Sequence, residues 1–194
     1  MISKSNITGI ILSGGKSSRM GTDKGFLKLK GKTFMEHSID ALKPLVSEII
    51  IISNNTAYDV FKLKRVNDMI ENAGPLAGVY TGLKHSKTDY NLVLSCDIPL
   101  INTDILKLLI DAIDDTSEIV QIENNGKTSP LIALYKTSCA NKFYKLLIEG
   151  ERRLRNAVNQ CNTKQIKLNS EIGIYTSNVN TPEEFKMLVN DYKY

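Results

Sequence analysis

Apolar positions along the chain follow two alternating patterns. Residues 7–12, 48–53 and 91–97 carry nearly unbroken apolar runs. Short runs of this kind between turn signals predict strands buried on both faces, as in a parallel sheet. Between them the period lengthens. Residues 34–42 are apolar at 34, 35, 39 and 42, and residues 101–113 at 101, 105, 108, 109 and 112. That spacing predicts two amphipathic helices, the first ending before Pro44 and the second capped by Asn102 or Thr103. Residues 139–149, with Phe143, Leu146 and Leu147 on one face, predict a third.

The remaining segments fit the same alternation. Residues 64–68 predict a short strand with Asp68 just beyond it. Residues 74–83 predict a helix with Pro75 in its first turn, where Ala77, Gly78 and Gly82 permit close approach to a neighbour. Asn124-Asn125-Gly126, between strand-like runs at 119–123 and 127–135, predicts a hairpin. From Tyr175 the chain is expected to pass from a strand into a helix. Thr181 would be its N-cap, Pro182 its first residue and Glu184 the partner in a capping box, with Phe185, Leu188, Val189 and Tyr192 as its packing stripe. No repeat, low-complexity segment or linker interrupts the pattern. The expectation is one α/β domain over residues 1–194, with a doubly wound, mostly parallel sheet and an antiparallel hairpin.

The candidate chemistry concentrates after the first strand, where residues 13–24 read Ser-Gly-Gly-Lys-Ser-Ser-Arg-Met-Gly-Thr-Asp-Lys. Glycines let backbone N–H groups approach phosphate oxygens, and spaced cations neutralise the phosphate charge. The spacing is neither that of a P-loop nor that of a dinucleotide fingerprint. Charge sharpens the reading. The net charge is +4, yet residues 1–32 hold seven cations against Asp23 alone, so the remainder of the chain is at −2. A basic focus on one glycine loop, without an aromatic patch, suits a small polyphosphate and argues against nucleic acid. No apolar run reaches the roughly 18 residues of a membrane span. The N-terminus has no apolar secretory stretch, so a cytoplasmic location is expected. Cys96, Cys139 and Cys161 are widely spaced, which argues against a disulfide framework or zinc and for reduced structural thiols. His37, without an Asp or Cys partner at useful spacing, reads as a packing residue. Asp97 ends the third strand-like run, where a carboxylate projects into a ligand crevice and suits Mg²⁺ beside phosphate oxygens.

Leu12-Ser-Gly-Gly-x-Ser-x-Arg-Met-Gly-x-Asp-Lys24 resembles the N-terminal signature of the molybdenum cofactor guanylyltransferases, the MobA-like nucleotidyltransferases. Four further segments resemble motifs of that family: Gly74-Pro-Leu-Ala-Gly78, Ser95-Cys-Asp-Ile-Pro99, Gly150-Glu-Arg-Arg153 and Asn178-Val-Asn-Thr-Pro-Glu183. Sugar-nucleotide and isoprenoid relatives have proline before the lysine. Asp23 stands there in this chain, which favours the cofactor branch. Ser13 replaces a usual alanine. Ser129 stands where the family has histidine before Pro130, so no role of that histidine carries over.

The resemblance implies a Rossmann-like nucleotidyltransferase fold and transfer of GMP from GTP to the terminal phosphate of molybdopterin, with Mg²⁺ as cofactor. It implies that Gly14 and Gly15 cradle the β- and γ-phosphates, that Arg19 pairs with them, that Lys24 stabilises the α-phosphoryl charge and that Asp97 holds the metal. Leu12, Ser13 and Gly14 would contact the guanine through their backbone, and Asn54 and Asp68 would fix nucleoside atoms. Arg152, Arg153, Asn178 and Asn180 become second-substrate candidates. Molybdenum-insertion proteins and recipient molybdoenzymes would be partners. Two alternatives stand beside this reading: a sibling cytidylyltransferase with the same or another phosphorylated acceptor, and a non-catalytic nucleotide-binding module.

Overall fold

The computed structural model describes residues 2–14 and 23–191. In chain order its elements are β1 (Ile7–Leu12), β2 (Lys28–Leu29), β3 (Lys32–Thr33), α1 (Phe34–Leu42), β4 (Glu48–Ile52), β5 (Lys64–Val66), α2 (Gly74–His85) and β6 (Tyr90–Ser95). They continue as α3 (Thr103–Ala112), β7 (Ile119–Asn124), β8 (Lys127–Lys136), α4 (Cys139–Ile148), α5 (Leu154–Val158), β9 (Thr163–Lys167), α6 (Ser170–Gly173) and α7 (Pro182–Asp191). Seven strands form one sheet in the order β5-β4-β1-β6-β8-β7-β9. Only β8 runs against its neighbours. β2 and β3 make a separate antiparallel ribbon.

β1 explains why the sheet is covered on both faces. Its odd-numbered side chains, Ile7 and Ile11, pack with Met35 and Leu42 of α1 and with Ile105, Leu106 and Leu109 of α3. Its even-numbered ones, Ile10 and Leu12, pack with Leu76, Val79 and Leu83 of α2 and join α4 and α5 in one cluster. A side-chain period of two therefore feeds two cores from one apolar run. The buried positions of α3 are 105, 106, 109 and 110, while Leu108, expected in the stripe, is 40% exposed.

The small residues of α2 are what let it lie on β1. A Cβ at Gly82 would sit 2.6 Å from Ile10 Cγ2, and one at Gly78 would sit 3.2 Å from Leu12 Cδ2. Ile10 is fully buried and has no room to retreat. Gly82→Ala is expected to lower unfolding free energy by about 1–3 kcal/mol through overpacking, read as a lower urea midpoint at unchanged m-value.

The hairpin forms as the Asn-Gly signal predicts, with Asn125 and Gly126 at φ 50° and 73°. Its second strand is not regular. Between Gln121 and Ile122 the partner on β8 jumps from Ala133 to Ser129, so residues 130–132 have no counterpart on β7. Pro130, which lacks an N–H, sits in that bulge.

Two sequence expectations are corrected. Tyr175 lies in a 3-10 turn, Ile174–Thr176, rather than in a strand. Asn169 caps the preceding α6, and Asn124, distant in sequence, donates to the Gly173 carbonyl at 2.9 Å, so side-chain hydrogen bonds take this segment before a sheet can. In the other direction, β9 and α5 form without having been predicted. Only Ile166 is apolar in β9, an edge strand, and α5 is a single short turn among arginines.

Candidate active site

β1 connects through α1 to β4 on one side, and the chain later returns to place β6 on the other side of β1. In open α/β sheets the crevice at such a reversal, outside the carboxyl ends of the strands, is where ligands bind. A cavity of about 720 Å³ lies there, walled by Leu12, Ser13 and Gly14 after β1, Ser53 and Asn54 after β4, Asp68 after β5, and Ser95 and Asp97 at the end of β6. From β5 to β6 is three strand spacings, on the order of 14 Å. The site therefore has two separated ends.

At the β6 end stand Lys24 and Asp97. Asp23 caps the 3-10 turn Lys24–Phe26, accepting from the Gly25 N–H at 3.1 Å. Its carboxylate also accepts from the Tyr58 hydroxyl and from Asn55 Nδ2 at 3.0 Å. Tyr58 is fully buried, stacks on Phe26 at 4.7 Å, and has its phenol pushed up by burial, so it stays a donor. A Cβ at Gly25 would collide with the Tyr58 hydroxyl. The main chain around Lys24 is thus fixed before any ligand arrives.

Lys24 Nζ then lies 3.2 Å from Asp97 Oδ2 and donates to Asn180 Oδ1 at 2.6 Å. Asp97 Oδ1 accepts from Ser95 Oγ at 2.7 Å and Asn178 Nδ2 at 3.2 Å. The two charged side chains are only 18% and 13% exposed. The loop carrying both asparagines is held from two sides. Val179 N–H donates to the Asp97 carbonyl at 2.9 Å. Glu184 Oε2 accepts from Asn180 and Thr181 N–H, and Thr181 Oγ1 accepts from Glu184 N–H, which is the expected capping box with one bond more. Phe185 packs edge-on against Phe34 at 5.8 Å, seating α7 on the body of the domain. Asn178 and Asn180 therefore frame the Lys24–Asp97 pair itself.

At the β5 end, Asn54 Oδ1 accepts from the Asp68 N–H at 2.9 Å. Arg65 braces this edge by donating to the Ser53 carbonyl at 2.8 Å and to Asp59 at 2.7 Å. Asp68 Oδ1 is buried and has no hydrogen-bond partner among the described residues. Burial pushes its carboxyl up from the ordinary range. Asp68 lines the cavity, and an unpaired acceptor in a lining carboxylate is a place for a ligand's donor.

A raised acid pKa means the folded state binds the proton more tightly than the unfolded chain. Asp68 therefore weakens the fold above its folded-state pKa, and the penalty fades as pH falls through that value. Asp68→Asn is expected to raise the melting temperature at neutral pH, with the gain shrinking in acid, while nucleotide affinity drops about tenfold. Parallel melts from pH 4 to 8 and a calorimetric titration would read both.

The remaining candidates divide clearly. Ser13 N–H donates to the Ile52 carbonyl at 3.0 Å, and the Leu12 carbonyl accepts from Cys96 N–H at 3.1 Å, so both backbones are tied into the sheet ends. Cys96 donates its thiol to Ser13 Oγ at 3.3 Å, and burial pushes it up to about 12, which makes it packing and not a nucleophile. Gly14 is exposed, and among the described residues nothing comes within 4 Å of where a Cβ would be. Gly15 and Arg19 lie outside the described residues. Arg152 donates to the Leu147 and Glu151 carbonyls at 2.8 Å, bracing the end of α4. Its own carbonyl lies 3.2 Å from a Cβ built on Gly74, a cavity residue, so this turn borders the crevice. Arg153 is exposed, and among the described residues its guanidinium takes no hydrogen bond. His37 bonds the Leu29 carbonyl at 3.0 Å, as a packing residue does.

Tyr58, Ser95 and Glu184 are not singled out by the sequence as parts of this site. Ser95 had a signal, lying two residues before the strand-end aspartate. Tyr58 had none, because only the folded chain brings it 35 positions back onto Asp23. Among the described residues, no helix is long and apolar enough to cross a membrane.

Comparison with known proteins agrees with this geometry. Residues 9–165 match the MobA-like NTP transferase domain. A protein of Vibrio parahaemolyticus named molybdenum cofactor guanylyltransferase is 32% identical over 95% of each chain. One of Flavobacterium johnsoniae, named probable molybdenum cofactor guanylyltransferase, is 33% identical over 94% of this chain and 96% of its own. The crystal structure of molybdopterin-guanine dinucleotide biosynthesis protein A from Archaeoglobus fulgidus superposes with a TM-score of 0.81 at 20% identity, covering 95% of this chain and 97% of that one. With its signature loop, its reversal-point crevice and relatives matched over nearly their full length, this chain belongs to the MobA-like NTP transferase family, and it is a nucleotidyltransferase.

Proposed function

We propose that the chain transfers GMP from GTP to the terminal phosphate of molybdopterin, giving the guanine dinucleotide form of the cofactor and pyrophosphate. The observation that carries this reading is the pairing of Lys24 with Asp97 at one end of a cavity whose other end holds the orphaned Asp68 oxygen. A nucleoside triphosphate has the complementary polarity, with hydrogen-bond donors on its nucleoside and anionic oxygens on its phosphates. The names of the full-length relatives supply guanine and the pterin acceptor.

An acceptor phosphate oxygen attacks the α-phosphorus, the P–O bond to the β-phosphate breaks, and pyrophosphate leaves. A phosphate monoester is already an anionic nucleophile near neutral pH, so the protein needs no general base. Its contribution is position and charge. Lys24, held by Asn180 and by the turn that Asp23 and Tyr58 fix, neutralises charge developing on the α-phosphoryl oxygens. Gly14 presents main chain without a side chain in the way. Asn54 and Asp68 hold the nucleoside. Asn178, Asn180 and the exposed Arg153 are the groups this reading gives to the acceptor.

Asp97 fits a Mg²⁺ ion. Its donors are hard carboxylate oxygens, it lines the cavity, and a metal arriving with the triphosphate would take the place of the Lys24 ammonium on Oδ2, leaving that ammonium to the phosphates. Mg²⁺ typically takes one or two carboxylates and completes its shell with phosphate oxygens and water. When bound, it would screen the triphosphate's charge. Ser95 and Asn178 orient the carboxylate for that contact.

The test is nucleotide preference. In calorimetric titrations with Mg²⁺, GTP is expected to bind at least about tenfold more tightly than CTP, and Asp68→Asn to remove most of that difference. Equal affinities in the unmodified protein would move the reading toward a cytidylyltransferase.

A further inference from the structure

At the opposite edge of the sheet, before β7, lies a second cluster that the transfer reaction does not use. Cys139 opens α4 and is fully buried. Cys161 is half-buried in the turn between α5 and β9. Their sulfurs and a Glu118 carboxylate oxygen all lie within 4.8 Å of one another. Twenty-two positions separate the cysteines in sequence, so wide spacing did not keep them apart in space.

We propose that Cys161 and Cys139 form a redox-active dithiol, in which a peroxide oxidises Cys161 and Cys139 then closes an intramolecular disulfide. Three features carry this. The sulfurs lie within 4.8 Å of one another, Cys139 at the first residue of α4 and Cys161 in a turn. Cys161 is the accessible partner and Cys139 the sequestered one, which suits an attacking thiol and a resolving thiol. Lys142 places its ammonium in the cluster, donating to Glu118 Oε1 and Oε2 at 3.3 and 3.1 Å and to the Gln160 carbonyl at 2.8 Å. The neighbouring Cys139 thiol, with help from Lys142 and against the effect of burial, holds Cys161 below the ordinary thiol value.

The same lysine argues against a metal as resident. Both Glu118 oxygens already face its ammonium, and Oε2 also accepts from Asn162 N–H at 2.8 Å. A cation would have to displace Lys142 to reach them.

The chemistry balances with hydrogen peroxide as oxidant. The Cys161 thiolate attacks one peroxide oxygen, an S–O bond forms, the O–O bond breaks, and hydroxide leaves as water after protonation. Cys139, giving up its proton, attacks the Cys161 sulfur. An S–S bond forms, the S–O bond breaks, and a second water leaves. Two thiols and one peroxide become one disulfide and two waters. The product staples the start of α4 to the turn before β9.

The full-length, fully reduced chain would be treated with hydrogen peroxide, its thiols counted, and its peptides mapped by mass spectrometry. The expected result is loss of two of the three thiols and a cross-linked pair containing Cys139 and Cys161. Cys139→Ser should instead trap a dimedone adduct on Cys161. Lys142→Met should slow iodoacetamide alkylation of Cys161 about tenfold at neutral pH, as a rise of one pKa unit in the thiol would. Retention of all three thiols after peroxide would overturn the proposal, as would disulfides only between chains. So would stoichiometric Zn²⁺ that survives gel filtration and protects both cysteines from alkylation, since the cluster would then be a metal site.

Discussion

Replacing Asp97 with asparagine is expected to slow nucleotidyl transfer about a thousandfold, the scale of losing a charge-stabilising group at a reacting phosphoryl. The side chain keeps its shape, so Ser95 Oγ can still donate to it. What disappears is the negative charge that faces the cavity and holds Lys24. The fold should survive. The main-chain bond from Val179 to the Asp97 carbonyl is untouched, and Lys24 retains Asn180 at 2.6 Å. A melting temperature within a few degrees of the parent, together with collapsed turnover, would place Asp97 in the chemistry and not in the scaffold. Retained turnover in saturating Mg²⁺ would remove Asp97 from the metal role.

Lys24→Met should produce a loss of about a hundredfold to a thousandfold in kcat, with a smaller change in KM for the nucleotide. The aliphatic stem is preserved, so the turn fixed by Asp23, Tyr58 and Asn55 has no reason to move. The arrangement of charges adds a second readout. In the free protein the Lys24 ammonium occupies Asp97 Oδ2. Removing it should let the free enzyme bind Mg²⁺ more tightly while catalysis falls. Titration of Mg²⁺ into the nucleotide-free variant, beside steady-state kinetics, separates a catalytic lysine from one that merely neutralises Asp97. In the second case Mg²⁺ would still bind more tightly, but turnover would stay near the parent value.

Much of this architecture could be read in the chain because local and global signals agreed. The apolar runs at 7–12, 48–53 and 91–97 became β1, β4 and β6, since a strand buried on two faces needs apolar side chains at every position. Thr181, Pro182 and Glu184 gave the start of α7, because capping is a local contact. The position of Asp97 just past the end of β6 was legible for the same reason.

What escaped depends on contacts between distant segments. Asp23 reads as a loop residue until Tyr58 and Asn55 close on it, and nothing near Tyr58 in sequence reports that meeting. Asn178 and Asn180 are recognisable as a motif, but their use on Asp97 and Lys24 follows only from the packing of Phe185 on Phe34, which sets where α7 begins. β9 was hidden for a different reason. An exposed edge strand buries little, so Thr163–Lys167 shows no apolar run, and its place is set by pairing with β7. The cysteine cluster escaped because spacing in sequence does not limit proximity across a doubly wound sheet.

The most direct test of the central claim is pyrophosphate release with Mg²⁺ and each of the four NTPs, in the presence and absence of molybdopterin. Release is expected only with GTP and molybdopterin together, and Asp97→Asn is expected to abolish it. Pterin-dependent release with CTP would keep the chemistry and contradict the donor. No release with any nucleotide, while GTP still binds, would contradict the catalytic reading of the Lys24–Asp97 pair and leave a nucleotide-binding module in its place.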